Sequence, residues 1–515
     1  MGVATRQSML ARMAAEPARP QWVRRRPGAH WLVVATVCIG AFMGQLDASI
    51  VTVAFPTLQR GFHAGVGAVE WVALSYLLAL VCAVTAVGRF ADMAGRKLLY
   101  IYGFGVFTVA SVACGLAPNL LVLDGLRVLQ ALGAAMLQAN SVALIATAMP
   151  RDKLGRGIGV QGAAQALGLA LGPTVGGLLI ALGGWQLIFF VNAPAGVVGV
   201  LLGWFFLPRS RHLQQRARFD WRGLAAFVPA VGGVLAALSL GRDQGFGSPL
   251  VLSLVGVGLV GCVLFVGQER RSCAPMVDLR LFSRVPFTAG VTSGFVSYSV
   301  LFGTLFVAPF LFEGGLGLSP GISGLVLTAL PAALGLSAPL AGRLADRVGP
   351  RPLTVTGMLL AALGLMAIAV IHEDIGVMAG ALAVIGLGLG MFTPPNNAAI
   401  MASAPREQSG TAGGLLNMTR GLGTAMGVAL SGVVFGWGQA HATGSAGVRD
   451  GAAATVVVLA ALAILAAVLA ALRANPVGPR SAHRRSEPGC TGDRPVSSCG
   501  IGRRVGSLPR FRGPA

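Results

Sequence analysis

Apolar residues gather along the chain into fourteen long stretches, separated by shorter segments that carry most of the charge. A membrane-crossing helix needs about 20 mostly apolar residues. Stretches of that kind fall at residues 31–55, 68–88, 98–117, 120–148, 156–181, 185–207, 222–241, 248–268, 286–312, 319–341, 352–371, 376–402, 409–436 and 452–472. The pattern therefore predicts an all-α membrane protein with fourteen transmembrane helices.

The separators alternate in charge. With the N-terminus placed inside, 34 of the 39 Lys and Arg residues lie in cytoplasmic segments. Only Arg60, Arg242 and Arg449 lie in external loops, and Arg127 and Arg420 fall within spans. Such asymmetry follows the positive-inside rule and would be scrambled by one missed or false helix. Both termini are thus expected in the cytoplasm, with the chain passing repeatedly through the plasma (inner) membrane. Heavy Ala, Gly and Arg usage points to a bacterial, GC-rich gene.

Composition agrees. The 515 residues are 55% hydrophobic and 11% charged, against about 25% charged in soluble domains. The net charge of +21 would suggest nucleic acid in a soluble protein, but here it is spread through loops and tails, so no nucleic-acid partner is expected. The seven cysteines form no CxxC pair and read as small core residues. Residues 1–30, with Arg24-Arg25-Arg26, form a basic cytoplasmic tail suited to anionic lipid. Residues 473–515, rich in Arg, Pro, Gly and Ser, are expected to be a disordered basic tail.

An internal repeat divides the rest. Gly88-Arg-Phe-Ala-Asp92-Met-Ala-Gly95-Arg96-Lys97 recurs as Gly342-Arg-Leu-Ala-Asp346-Arg-Val-Gly349-Pro-Arg351. The first copy joins spans 2 and 3 and the second joins spans 10 and 11. Two equal six-helix halves would place the second copy between spans 8 and 9, so a two-helix hairpin is inserted. The expected organisation is a six-helix bundle at 31–207, inserted helices 7 and 8 with their loops at 208–284, and a second six-helix bundle at 285–472. Repeats of this kind rock about a site near the midplane. Gly88, Asp92, Gly95, Arg96 and Asp346 are candidates for a conformational latch at the repeated turn. There Asp92 can stabilise a helix N-terminus or pair with Arg96 while Arg89, Arg96 and Lys97 stay in the headgroup zone; the alternative is a charged turn that only sets topology.

Charges inside spans come next. A carboxylate or guanidinium at mid-bilayer costs at least ~2.5–3.5 kcal/mol and usually marks an ion or substrate path. Asp47 lies about 16 residues, or ~24 Å, from the inner edge of span 1, and Arg127 about 7 residues, or ~10 Å, below the outer edge of span 4. Both occupy the outer half, at similar depth. Asp124, Arg127, Gln130, Ala134, Gln138 and Ser141 recur at steps of three or four and share one face. Asp47 is the candidate proton carrier, its affinity switched by its distance from Arg127, and Asp124 is a possible second partner. A static ion pair locking helices 1 and 4 is the other reading.

Span 5 presents Gln161, Gln165, Gly168, Gly172 and Gly176 on one thin face, with Pro173 allowing a bend. The face suits either plain close packing or a gating interface between the bundles. Gln130, Gln138, Gln161, Gln165 and Arg420 are cavity candidates. Arg420 has three readings: lining the cavity, pairing with a helix C-terminal carbonyl, or neutralising an anionic substrate. Asn396, Asn397 and Asn417, and the aromatics Trp71, Tyr76, Phe295, Tyr298 and Phe302, fit either a cavity lining or ordinary packing.

These residues carry a resemblance. GRFADMAGRK is similar to the signature loop of the major facilitator superfamily. Leu46-Asp47-Ala-Ser-Ile-Val-Thr-Val-Ala-Phe-Pro56 resembles the first-helix motif of its fourteen-span drug/proton antiporter family. Arg127-Val-Leu-Gln130-Ala-Leu-Gly133 resembles the fourth-helix motif associated with proton transfer. Gly168-Leu-Ala-Leu-Gly172-Pro173-Thr-Val-Gly176-Gly177 resembles the fifth-helix motif typical of antiporters. Trp185–Pro194 and Val277–Phe282 also look like this family. Ala131 departs from a usual Gly and Met93 from a commonly basic residue, and Asp124 is not a usual feature.

The resemblance implies a proton-coupled exporter of drugs, antibiotics or other small amphipathic compounds, with a proton gradient in place of any cofactor and a monomer sufficing. Export of an endogenous metabolite is the alternative, and nutrient uptake or a sensor role ranks below it. No enzyme is expected: the six His do not cluster, no GxxxxGK[ST] phosphate loop occurs, and no metal site is foreseen. Span 10 carries no acid, and the second bundle as delimited holds no membrane-embedded carboxylate, which disfavours a divalent-cation site.

Overall fold

The computed structural model describes residues 19–24, 28–150, 153–209, 220–272, 277–371, 374–403, 409–440 and 444–472. Among them are fourteen helices long and apolar enough to cross a membrane, and no strand. The first six are α1 (Ala29–Phe62), α2 (Val66–Ala94), α3 (Arg96–Gly115), α4 (Leu120–Ala148), α5 (Leu154–Gly183) and α6 (Leu187–Phe206). Then come α7 (Trp221–Gln244) and α8 (Pro249–Arg271). The last six are α9 (Val285–Phe310, prolonged by a π-helical turn at Leu311–Gly315), α10 (Pro320–Val348), α11 (Pro350–Val370), α12 (Ile375–Ser403), α13 (Ser409–Gln439) and α14 (Gly444–Ala471). Most of the N-terminal tail and all of 473–515 lie outside the described residues.

Several ends differ from the sequence expectation. Pro56 sits inside α1 without ending it, so Arg60 belongs to its last turn. Arg449, expected in an external loop, is helical, because α14 begins at Gly444. Glu313, one residue beyond the apolar run 286–312, is drawn into the buried end of the ninth span. The second half therefore does hold a span-embedded carboxylate.

The repeated motif is also more compact than a loop. Gly88 and Asp92 are helical, and a single residue, Gly95 at φ 106°, separates α2 from α3. Gly349, at φ 86°, does the same between α10 and α11. Left-handed backbone costs a side-chain-bearing residue roughly 1–2 kcal/mol. Gly95→Ala and Gly349→Ala are each expected to lower thermal stability by about that amount. Gly105→Ala, in an open helical position, should not. Equal melting temperatures for all three would refute this.

Of the latch candidates, the Asp92 side chain lies outside the described residues. Asp346 is exposed and makes no ion pair among them. Arg96 opens α3. Lys97 is fully buried against protein, and its Nζ donates to the Trp204 carbonyl at 2.9 Å. A cation there satisfies an acceptor at the C-terminal end of α6.

Within the first half α1 lies along α5, α2 on α4, and α3 on α4 and α6. In the second, α9 packs on α13 and α14, and α12 on α10 and α11. The halves meet through α5 with α10, α2 with α13 and α1 with α9. α7 rests on α8, but also on both α2 and α13.

Candidate functional site

Asp47 and Arg127, 80 residues apart, form a salt bridge of 2.6 Å with neither side chain more than 1% exposed. α1 supplies the acid and α4 the base. Asp47 Oδ1 also accepts from Gln130 Nε2 at 2.9 Å and from Asn192 Nδ2 at 3.2 Å. Arg127 donates further to the Val72 carbonyl at 2.9 Å and to Gln130 Oε1 at 2.7 Å, and its guanidinium lies 4.1 Å over the Tyr76 ring. Ser111 accepts from Gln130 and Asn192 and donates to the Phe189 carbonyl. The cluster thus joins α1, α2, α3, α4 and α6. Removing one partner of a buried pair strands the other charge at a cost of ~3–5 kcal/mol, so the pair is held as a unit.

Asp124 is not part of it. It is half-buried, makes no ion pair among the described residues, and its Oδ1 accepts no hydrogen bond. It lies beyond ion-pairing distance of Arg127, so the expected sharing of the guanidinium does not occur.

A cleft adjoins the pair. Gln45, Tyr76, Leu80 and Gln138 border two connected hollows, one reaching Ser141 and Gln165, the other reaching Phe302, Asn417 and Arg420 across the second half. The cleft lies toward the end bearing the basic links, because Gln45 precedes Asp47 on α1 and Gln138 follows Arg127 on α4. Its second hollow leaves about 50 Å³ for water, whereas drug-sized pockets run to ~300–1,000 Å³. A substrate of that size needs the halves to part.

Three of the five cavity candidates, Gln138, Gln165 and Arg420, line the cleft. Gln130 does not, being locked in the Asp47 cluster. Gln161 does not either: it is buried and donates to Ser141 Oγ at 2.9 Å, tying α5 to α4. Asn396 is likewise structural, bonded to the Gly290 carbonyl.

The opposite end is sealed. Phe55 packs on Phe306 at 5.2 Å between ring centres, and Arg60 bridges Glu313 at 2.6 Å. Thr174 and Thr328 share a short hydrogen bond, and Gly177 lies against Pro320 and Gly324. The glycine face expected as a gate needs correcting here. Gly168, Gly172 and Gly176 all abut α1 within the first half (Phe42, Ser49 and Ile50). Pro173, Thr174 and Gly177, one step around the helix, make the seam with α10.

The Glu313 side chain is 2% exposed and that of Arg60 64%. Arg60→Gln strands a buried carboxylate and should destabilise by about 2 kcal/mol, whereas Glu313→Gln leaves a solvated guanidinium and should cost under about 1 kcal/mol. Thermal unfolding of the two variants checks the order; an inverted order would refute it.

The model of the Major Facilitator Superfamily matches residues 37–311 and again 290–505. The chain belongs to this superfamily. Among curated members it is similar to multidrug resistance protein Stp of Mycobacterium tuberculosis, 34% identical over 78% of this chain and 75% of that protein. It is also similar to riboflavin transporter RibZ of Clostridioides difficile, 33% identical over 78% and 87%. Among solved folds, peptide transporter POT in complex with sulfate superposes with a TM-score of 0.64 at 17% identity, over 89% of this chain and 96% of that one. Three residues to which sequence reading gave no role take part in these contacts. Asn192 and Ser111 complete the Asp47 cluster, and Glu313 the seal. A lone polar residue inside an apolar run was the available signal for Asn192.

Proposed function

We propose that this transporter exports small amphipathic compounds, drugs or antibiotics among them, in exchange for protons entering the cell. The observation that carries the reading is that Tyr76 both lines the cleft and stacks on Arg127. Through it, occupancy of the cleft and the state of the Asp47–Arg127 pair act on each other. A proton taken up by Asp47 from outside, while the outer seal is open, frees Arg127 and lets that end close. Release of the proton to the cytoplasm restores the pair seen here, and substrate then bound from inside opens the outer seal.

The basic links lie on the cytoplasmic side in this reading, so the conformation is closed outside and the cleft drains inward. The protein acts as a monomer in the plasma membrane with both termini inside, and the helical ends Gly88–Asp92 and Asp346 latch when the inner side closes. Similarity to Stp supports a drug as cargo. Nearly equal similarity to RibZ supports a metabolite as the second reading. Reconstituted vesicles with an imposed pH gradient test both: substrate-dependent proton flux is expected, and substrate movement indifferent to the gradient would overturn proton exchange.

A further inference from the structure

We infer that the cleft selects substrates bearing an anionic or strongly hydrogen-bond-accepting group, with Arg420 as the residue that reads charge. This rests on the cleft being the substrate path.

The amides of the protein fall into two sets. Gln130, Gln161, Asn192 and Asn396 are all buried and hydrogen-bonded to protein. Gln45, Gln138 and Asn417 face the cleft, and their side chains make no hydrogen bond among the described residues. The first set holds helices together. The second leaves donors and acceptors converging on one space from α1, α4 and α13.

Arg420 stands among them. It is half-buried, and its guanidinium has no hydrogen-bond or ion-pair partner among the described residues. The Tyr298 ring lies beside it, 5.6 Å away. It does not pair with a helix-terminal carbonyl. No carboxylate lines either hollow. Asp47 is fully buried behind Arg127, whose charge it balances. The cleft therefore carries one uncompensated positive charge. A cationic compound entering it meets repulsion and no counter-charge. A carboxylate, phenolate or paired carbonyl meets a planar fork of donors that matches it. Tyr76, Leu80 and Phe302 supply apolar surface for the body of such a molecule.

Fluorescein and rhodamine 123 share a xanthene frame and differ in charge, which makes them suitable probes at pH 8. With purified full-length protein, fluorescence polarisation is expected to show fluorescein binding at least about tenfold tighter than rhodamine 123. Arg420→Gln should abolish that preference by weakening fluorescein about tenfold or more while leaving rhodamine 123 binding no weaker, and Arg420→Lys should keep part of it, since a charged hydrogen bond is worth about a tenfold change or more. Tighter binding of rhodamine 123, binding of neither dye, or fluorescein binding that ignores both substitutions would each overturn the inference. Transport in vesicles with a pH gradient separates the two claims. Gradient-driven export of fluorescein untouched by Arg420→Gln refutes charge selection but keeps the exporter. Arg420-dependent fluorescein binding without gradient-driven movement keeps the site and refutes the exporter.

Discussion

Asp47→Asn is expected to reduce pH-gradient-driven transport to the level of protein-free vesicles, while exchange of substrate without a gradient continues. The side chain keeps its shape but can neither take up nor release a proton. The cluster receives the new amide only in part. Asn192 Oδ1 has no hydrogen-bond partner, so a flip of that side chain offers an acceptor to the introduced NH2 group, and the remaining oxygen still meets Arg127. Gln130 Nε2, however, which donates to the same Asp47 oxygen at 2.9 Å, loses that acceptor. What is lost is the counter-charge, and the uncompensated guanidinium should cost ~3 kcal/mol or more. Membrane abundance must therefore be measured alongside transport. Asp124→Asn, outside the pair, is expected to leave gradient-driven transport intact. Normal gradient-driven transport by Asp47→Asn at normal abundance would sink the coupling role.

The second large effect belongs to the seam. A Cβ on Gly177 would strike the Pro320 carbonyl and come within 3.2 Å of Gly324 Cα; one on Gly324 would strike the Pro173 carbonyl and come within 3.1 Å of Gly177 Cα. Backbone is met on both sides, so neither helix can yield locally. Overpacking of that kind costs ~1–3 kcal/mol, enough to move an equilibrium between closed and open seams by about fivefold to more than a hundredfold. Gly177→Leu and Gly324→Leu should each favour the state in which α5 and α10 part. Spin labels at Leu182 and Ile322, exposed on the two helices, would report longer distances. Unchanged distances in both variants would show that the seam does not set the balance.

The spans and the Asp47–Arg127 pair were legible in the sequence because both are written in one dimension: run length gives the first, and charges inside apolar runs give the second. What surrounds them was not. Gln130 and Gln138 share a helix face, yet one is locked under Asp47 and the other stands in the cleft, a difference made by α3 and α6 from elsewhere in the chain. Gly176 and Gly177 are adjacent, but a step of about 100° around the helix turns one to α1 and the other to α10. Glu313 was missed because the apolar run ends one residue before it, while the helix continues through a π turn that buries it. Asp124 misled for the opposite reason, since nearness in sequence to Arg127 did not place it beside the guanidinium.

The position of α7 adds a mechanical condition. It touches α2 and α13, which belong to opposite lobes, while α8 leans on α7 and leaves most of its own surface uncovered by protein. Any tilt of one lobe against the other must slide over this strut, and α8 must then plough through acyl chains. Membrane thickness and fluidity thus act as a load on every turnover, so the same protein should run at different speeds in different lipids.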